Sequence, residues 1–122
     1  MGGLAPKGVA LDVDVTKVAV SPQQAAAVGT FLNEFISNSY KHAFPDGRTG
    51  TVVIRLTAVD QDRVELVCTD DGVGLPSDIS RSSAGLGMKI AEVVCMELES
   101  KLDLQNGDDG VIATLRFSPR PL

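Results

Sequence analysis

Two neighbouring runs of alternating residues constrain the fold of this chain more strongly than any other sequence feature. Thr51 to Ala58 and Arg63 to Thr69 are rich in β-branched residues and place apolar side chains at every second position. This period of two is typical of strands that bury one face. Because only the polar segment 59–62 separates the two runs, we predict an antiparallel hairpin with its turn at these residues.

The residues before the hairpin predict a strand at the edge of the same sheet. The segment Val9 to Val15 alternates between apolar and polar side chains, which is the pattern of a short strand with one apolar face. The residues expected on that face are Val9, Leu11, Val13 and Val15.

A long helix is predicted between this strand and the hairpin. Ser21 is a suitable N-cap, Pro22 occupies the first helical position and Gln24 the third, the arrangement of a capping box. The helix is expected to extend from Pro22 to about Ala43 and to end at the segment Pro45 to Gly47. Its predicted core stripe consists of Val28, Phe31, Leu32, Phe35, Ser39 and Ala43.

The second half of the chain predicts a further helix and a second hairpin. A small, polar segment over 77–84 precedes a helix expected from Gly87 to Glu99. Lys101 to Gln105 and Val111 to Phe117, joined by a turn over 106–110, predict the hairpin. The order of elements indicates an α+β fold, a two-layer α/β sandwich with a mixed, mainly antiparallel sheet and helices on one face. The core face of the second helix is predicted to contain Ile90, Ala91, Val94 and Leu98.

Composition limits the class of protein. A chain of 122 residues with 43% hydrophobic and 22% charged residues suits one globular domain over 1–122, of which 1–8 are expected to be disordered or vector-derived. No apolar run approaches the roughly 20 residues that span a bilayer, and no secretory leader is evident. We therefore expect a cytoplasmic protein without direct membrane contact. The net charge of −5 argues against a nucleic-acid partner.

The cysteines and the histidine exclude several kinds of chemistry. Cys68 and Cys95 lie in apolar segments without the spacing of a zinc site or a redox pair, so we expect reduced core residues. His42 is the single histidine. A multi-histidine metal site is therefore excluded, and a Ser-His-Asp triad would have only this residue to use.

Glu34, Asn38 and Lys41 form the first candidate functional cluster. On a period of 3.6 residues they lie within about 60° of one another, and they form a polar stripe at the boundary of the predicted core face. A solvated helix face with a stabilising Glu/Lys pair explains the same spacing. Asparagine in the middle of a helix favours a functional role, because it is a poor helix former.

The second candidate is the string Asp70-Asp71-Gly72-Val73-Gly74, which directly follows a predicted strand. Alternate glycines let a backbone approach a flat or anionic ligand, and an aspartate at a strand end presents an acceptor to a donor such as an exocyclic amine. Tight turns produce similar strings. The dinucleotide fingerprint and the P-loop motif are both missing.

The third candidate is Gly85-Leu86-Gly87-Met88 at the start of the second predicted helix. Glycines at a helix N-terminus leave backbone N–H groups and the positive end of the helix dipole open to phosphate oxygens, even in an acidic protein. A flexible loop with a glycine N-cap is the alternative interpretation.

Together the three candidates resemble a known superfamily. The strings NEFISNSYKHAFPDGRTG, DDGVGLP and AGLGMKI are similar to the three nucleotide-binding boxes of the gyrase, heat-shock chaperone, mismatch-repair and histidine kinase ATPases. More narrowly, KHAFPDGR and the short gap between the boxes resemble the catalytic, ATP-binding domain of bacterial sensor histidine kinases. The resemblance covers about Val9 to Pro119 and implies a Bergerat-type ATP-binding fold.

The resemblance implies roles for residues at the base and metal ends of a nucleotide site. Asp70 would accept the adenine amino group, and Gly72 and Gly74 would let the loop pass the base. Asn38 would ligate Mg²⁺, an ion that prefers oxygen ligands and is usually shared with substrate phosphates.

It also implies roles around the phosphates. Glu34 would act as the base or orient the attacking group, with Lys41 and His42 towards the phosphates as further catalytic residues. Residues 75–86 would form a short lid over the nucleotide. The phosphates would be received at the start of the second helix by Gly85, Leu86 and Gly87.

The implied function is that of the catalytic module of a two-component system. It would bind ATP with Mg²⁺ and donate the γ-phosphate to a histidine on a dimerisation domain, with a response regulator as an indirect partner. Because the single histidine, His42, lies in the nucleotide box, the acceptor is expected on another segment or another chain.

Two alternatives stay open within the same fold. A serine kinase of the anti-sigma-factor type shares the N-x3-H-A pattern, although FPDGR and DGVGLP favour the first interpretation. A degenerate adapter without nucleotide is favoured by Val111. In the family, the glycine opening the last strand is usually followed by Thr or Ser that helps to hold a water near the adenine, so Val111 implies a lower nucleotide affinity.

Overall fold

Five strands and two α-helices make up the part of the chain that the computed structural model describes, namely residues 7–74, 86–106 and 110–120, with only the backbone over 86–88. The strands are β1 (Val9–Val15), β2 (Gly50–Asp60), β3 (Arg63–Asp70), β4 (Asp103–Asn106) and β5 (Val111–Phe117). The helices are α1 (Pro22–Asn38) and α2 (Leu86–Leu98). A π-helical turn (Ser39–Ala43) and a 3₁₀ turn (Pro45–Gly47) follow α1.

The strands form one mixed sheet in the order β1-β2-β3-β5-β4. β1 runs parallel to β2, and the other three pairs are antiparallel. Both predicted hairpins are present, and the predicted edge position of β1 is confirmed. The sheet thus has the mixed, mainly antiparallel character that the sequence predicts.

Both helices cover the same face of the sheet. Alternate residues of β3, from Val64 to Asp70, are buried, while Glu65 on the opposite face forms an exposed ion pair with Arg116 of β5 at 2.6 Å. The buried residues of the strands and helices form a single hydrophobic core. The predicted two-layer sandwich is therefore confirmed.

The predicted long helix is correct in position but wrong in its last turn. Its start is as predicted, since the Ser21 hydroxyl accepts from the Gln24 backbone N–H and the Gln24 side chain returns to the Ser21 N–H. The α-helical pattern ends at Asn38, and residues 39–43 form a wider π turn. Periodicity over five residues cannot distinguish the two kinds of turn, and Pro45 disfavours α-helical geometry at Phe44.

The predicted core stripe of α1 needs correction as well. Phe31, Ser39 and Ala43 are buried as predicted, but Val28, Leu32 and Phe35 are only partly buried. The stripe is centred further round the helix, towards residues that the sequence pattern did not select. These buried residues are Gln24, Ala27 and Ile36.

Smaller differences occur at the strand ends and in α2. β2 continues through Asp60 with an irregularity after Ala58, so the hairpin turn is Gln61–Asp62 rather than 59–62. Only Val9 on the predicted apolar face of β1 is buried, whereas Leu11 is partly buried and Val13 and Val15 are exposed. α2 begins and ends one residue before its predicted bounds.

Some predictions fall outside the described residues. These are residues 1–6 of the N-terminal segment, the lid except for the backbone of Leu86, and positions 107–109 of the second hairpin turn. Within the described ranges, neither helix is long and apolar enough to cross a membrane.

Candidate functional site

Asp70 lies at the end of β3 on the face covered by the helices. Strand alternation places it in line with Val64, Leu66 and Cys68, so the carboxylate is only 5% exposed. A carboxylate at this depth is costly unless donors surround it. A buried carboxylate at the end of β3 therefore requires hydrogen-bond donors from neighbouring segments.

Three donors from distant segments hold this carboxylate. Its Oδ1 accepts from the backbone N–H groups of Gly72 at 3.1 Å and Val111 at 3.3 Å, and its Oδ2 accepts from the Ser39 hydroxyl at 2.9 Å. Each carboxylate oxygen has about two acceptor positions. The two bonds to Oδ1 fill that oxygen, whereas Oδ2 has a single donor among the described residues and can accept one more hydrogen bond.

Gly72 permits the loop after β3 to lie against the end of the first helical segment. A Cβ at this position would overlap the carbonyl oxygen of Ala43 and would lie 2.5 Å from its Cβ. The same carbonyl accepts the Val73 N–H at 2.9 Å. The loop thus has no room for a side chain at position 72, independently of any ligand.

A second glycine is required where β5 approaches Asp70. Gly110 has φ +93°, and a Cβ there would overlap the Asp70 carbonyl oxygen. This close approach brings the Val111 N–H to the carboxylate. Gly74, the other glycine of the predicted base loop, is partly buried, and a Cβ there would lie 2.9 Å from Oδ1 of Asn106.

Asp71 fixes the same loop to the start of β2, a role that sequence reasoning missed. Its Oδ1 accepts the Thr51 N–H at 2.7 Å, its own N–H donates to the Thr51 carbonyl at 3.3 Å, and the Arg48 guanidinium donates to its carbonyl at 3.4 Å. In the sequence, this anchoring role is indicated only by the second aspartate next to Asp70. The two carboxylates therefore differ: that of Asp70 faces the core, and that of Asp71 anchors the loop to β2.

The predicted phosphate-end residues lie on the solvent side of α1 and the π turn. Glu34 is partly buried, whereas Asn38, Lys41 and His42 are exposed. Within the described ranges, these four side chains make no hydrogen bond or ion pair. The exposure of Asn38 and Lys41 agrees with the predicted polar stripe, of which Glu34 is the partly buried member. Because Lys41 lies in the π turn, the angle between Asn38 and Lys41 differs from the one an α-helix would give.

The glycine-rich start of α2 is described only in part. Gly85 lies outside the described residues, and Leu86 and Gly87 begin the helix. The helix thus begins at Leu86, one residue before the predicted start at Gly87. The assignment of the three residues to phosphate binding stays a prediction.

The thiols are not candidates for nucleophilic chemistry. Burial raises the pKa of the Cys68 thiol from 9.0 to about 12. Burial also raises the pKa of Cys95, opposed in part by a backbone hydrogen bond with Leu102. Since the thiolate is the reactive form, both free cysteines behave as the structural residues that the sequence predicts.

In the described part of the chain, no group of three His, Cys, Asp or Glu residues comes together to hold a metal ion. A magnesium ion held by one side-chain oxygen and by substrate phosphates needs no such cage. The exposed amide of Asn38 fits that kind of site. At the other end of the predicted site, Asp70 has one donor to Oδ2 among the described residues, which leaves this oxygen able to accept a second hydrogen bond.

The sandwich fold places a buried aspartate at the end of β3, and comparison with known proteins identifies the family of this domain. Residues 23–121 match the family described as histidine kinase-, DNA gyrase B- and HSP90-like ATPases. The chain belongs to this family.

Its relatives include histidine kinases. The chain is 27% identical over 108 residues to blue-light-activated histidine kinase 2 of Erythrobacter litoralis, covering 88% of this chain and 31% of that protein. The histidine kinase domain of the Erythrobacter litoralis EL346 blue-light-activated kinase superimposes with a TM-score of 0.83 at 26% identity, covering 92% of this chain and 52% of that one.

A more distant structure supports the fold alone. The mycobacterial sensor histidine kinase MprB superimposes with a TM-score of 0.72 at 24% identity, covering 94% of this chain and 85% of that one. The chain spans about a third of the curated relative and about half of the solved Erythrobacter domain. Within the family, the chain is similar to the ATPase domains of these histidine kinases.

Proposed function

We propose that this chain binds ATP with Mg²⁺ and donates the γ-phosphate to a histidine on a separate dimerisation domain, as the catalytic module of a cytoplasmic two-component kinase. The buried Asp70 carboxylate carries this proposal. Three donors fix it, and its remaining acceptor position matches the 6-amino group of adenine. Guanine presents a carbonyl oxygen at the same position and would meet a second acceptor.

In this proposal, some residues would contact the base and others would contact the metal ion and the phosphates. Asp70 would orient the base, and Gly72 and Gly74 would leave room for it. Asn38 would hold the metal ion together with the phosphates. Magnesium, when bound, would neutralise charge on the phosphates during transfer.

The remaining predicted residues would act on the transferred group. Glu34, partly buried on α1, would orient or deprotonate the attacking imidazole. The exposed Lys41 and His42 would lie towards the phosphates, and Gly85, Leu86 and Gly87 would supply backbone N–H groups at the start of α2. Response regulators would receive the phosphate only afterwards, from the histidine.

A phosphotransfer assay tests this function. The chain is incubated with γ-labelled ATP, Mg²⁺ and a histidine-bearing dimerisation domain of a histidine kinase. We expect label on the acceptor that is lost in acid, as phosphohistidine is, and no label with the Asp70→Asn variant. The Asp12→Asn variant is the matched control, because Asp12 is exposed on the edge strand β1.

The same assay separates the two alternatives. Acid-stable label on a serine would contradict histidine transfer and support the serine kinase. Failure of the parent chain to bind ATP at all would support the adapter, for which the apolar, buried Val111 beside Asp70 is the specific observation.

A further inference from the structure

We propose that Ser39 is a positioning residue that sets the selectivity of the site for a 6-aminopurine by orienting the Asp70 carboxylate. The inference rests on the proposed function, since it assumes that Asp70 meets the base of a nucleotide. Ser39 was predicted only as part of the core stripe of α1. It is 4% exposed and follows directly after Asn38.

The direction of the Ser39 hydroxyl is the first argument. Serine and threonine within helices commonly donate to the carbonyl four residues earlier, as Thr30 does to Ala26 at 2.9 Å. The Ser39 hydroxyl instead donates to Oδ2 of Asp70, 31 positions along the chain, at 2.9 Å. The hydroxyl therefore serves the carboxylate rather than its own helix.

The division of donors between the two carboxylate oxygens is the second argument. Oδ1 receives two backbone N–H groups, whose positions are fixed by the loop and by β5. Oδ2, the oxygen with the free acceptor position, has Ser39 as its one donor within the described residues. Loss of the hydroxyl would remove the one described contact that holds Oδ2, and would let the carboxylate turn more easily about its Cβ–Cγ bond within the tolerance of the two bonds to Oδ1.

The environment on β5 is the third argument. Val111 contributes its backbone N–H to Asp70, and its buried side chain carries no hydroxyl. The hydroxyl beside the carboxylate therefore comes from the π turn and not from the last strand. Ser39 thus supplies a side-chain hydroxyl to Asp70, which Val111 cannot supply.

The π turn also joins the two ends of the proposed site. Asn38 is exposed and Ser39 is buried, although they are consecutive residues. At the other end of the turn, the Ala43 carbonyl accepts the Val73 N–H of the base loop. The turn is thus bonded to the end of β3 at its first residue and to the loop after β3 at its last residue.

Two nucleotides that differ in one group distinguish positioning from general structural support. ADP carries the 6-amino group, and purine riboside 5′-diphosphate lacks it. The dissociation constants of both, with Mg²⁺, are measured by calorimetry for the parent chain, Ser39→Ala, Ser39→Cys and Thr30→Ala. Selectivity is the ratio of the two dissociation constants, and a purely structural role would weaken both nucleotides equally and leave that ratio unchanged.

We expect Ser39→Ala to lower the selectivity for ADP about tenfold, the usual effect of losing one charge-assisted hydrogen bond. Ser39→Cys, a weaker donor of similar size, should lie between the parent and Ser39→Ala. Thr30→Ala should match the parent, because its hydroxyl is exposed and bonds within its own helix.

An unchanged ratio in Ser39→Ala, or tighter ADP binding, would overturn the inference. If Ser39→Ala does not fold, the ratio in Ser39→Cys decides in the same way. If the parent binds ADP and Asp70→Asn does not, an unchanged ratio refutes only the role of Ser39. If the parent binds neither nucleotide, the proposed function fails and this inference fails with it.

Discussion

The two ends of the proposed nucleotide site are built differently. At the base end, Asp70 is buried and held by three donors from three separate segments. At the phosphate end, Asn38, Lys41 and His42 are exposed, and in the described residues their side chains have no polar partners. Folding therefore organises the base end in advance, whereas the phosphate end relies on a ligand to fix its side chains.

This difference predicts that changes at the base end affect folding and binding together. Gly72→Ala should have the largest effect, because the new Cβ would overlap the Ala43 carbonyl oxygen, a backbone atom that cannot move alone. We expect the free energy of unfolding to fall by about 2–3 kcal/mol and ADP binding to be lost. Chemical denaturation and calorimetry measure the two effects.

Gly29→Ala is the matched control for that change. Gly29 lies within α1, and a Cβ there would meet no atom within 4 Å. Replacing an exposed helical glycine should stabilise the chain by about 0.5–1 kcal/mol and leave binding unchanged. Equal behaviour of the two glycine variants would contradict the close packing of the base loop against the π turn.

Changes at the phosphate end should affect binding without affecting folding. Asn38→Ala removes an exposed amide, so we expect the free energy of unfolding to change by less than about 0.5 kcal/mol. Affinity for ADP should fall about tenfold with Mg²⁺ present and hardly at all without it, since the amide is proposed to act through the metal ion. A loss of affinity that is independent of Mg²⁺ would exclude the assigned role.

The smallest effect concerns Cys68, two residues before Asp70 on the same strand. Burial raises the pKa of this thiol from 9.0 to about 12, so ionisation is favoured in the unfolded chain between these values. Its contribution to stability is fully present below about pH 9 and is lost as the pH rises towards 12. At about pH 10 we expect a loss of about 1 kcal/mol.

Comparison of the parent with Cys68→Ala isolates this contribution. The variant leaves a cavity and is less stable at every pH, so the slope of unfolding free energy against pH is the quantity to compare. We expect a shallower fall above about pH 9 in Cys68→Ala. Identical slopes would mean that the strand leading to Asp70 is not closed to water.

The sequence predicts the elements of this fold better than their connections. Alternation and capping place β1, the hairpin of β2 and β3, and the start of α1 with few errors, because local spacing determines each. Local spacing does not predict the π turn or the burial of Gln24. Gln24 donates from its side-chain amide to the Ser118 carbonyl at 2.8 Å and accepts the Arg120 N–H at 2.8 Å, contacts that no local pattern reveals.

The candidate site also contains some residues that local patterns predict and others that depend on distant contacts. Asp70, Gly72 and Asn38 are recognisable as members of short motifs. Ser39 and Asp71 take their roles from contacts with segments about 20 to 30 positions away, so periodicity assigns Ser39 to the core and leaves Asp71 without a role. A serine inside an otherwise apolar stripe was the one local signal of a polar partner.

The central claim is that folding prepares Asp70 to receive an adenine amino group. Calorimetric titration of Mg²⁺-ADP into the parent chain and into the Asp70→Asn variant tests it most directly, with thermal unfolding used to show that both are folded. We predict measurable binding by the parent and a loss of about 100-fold or more in the variant. Equal affinity in the two folded proteins would contradict the claim.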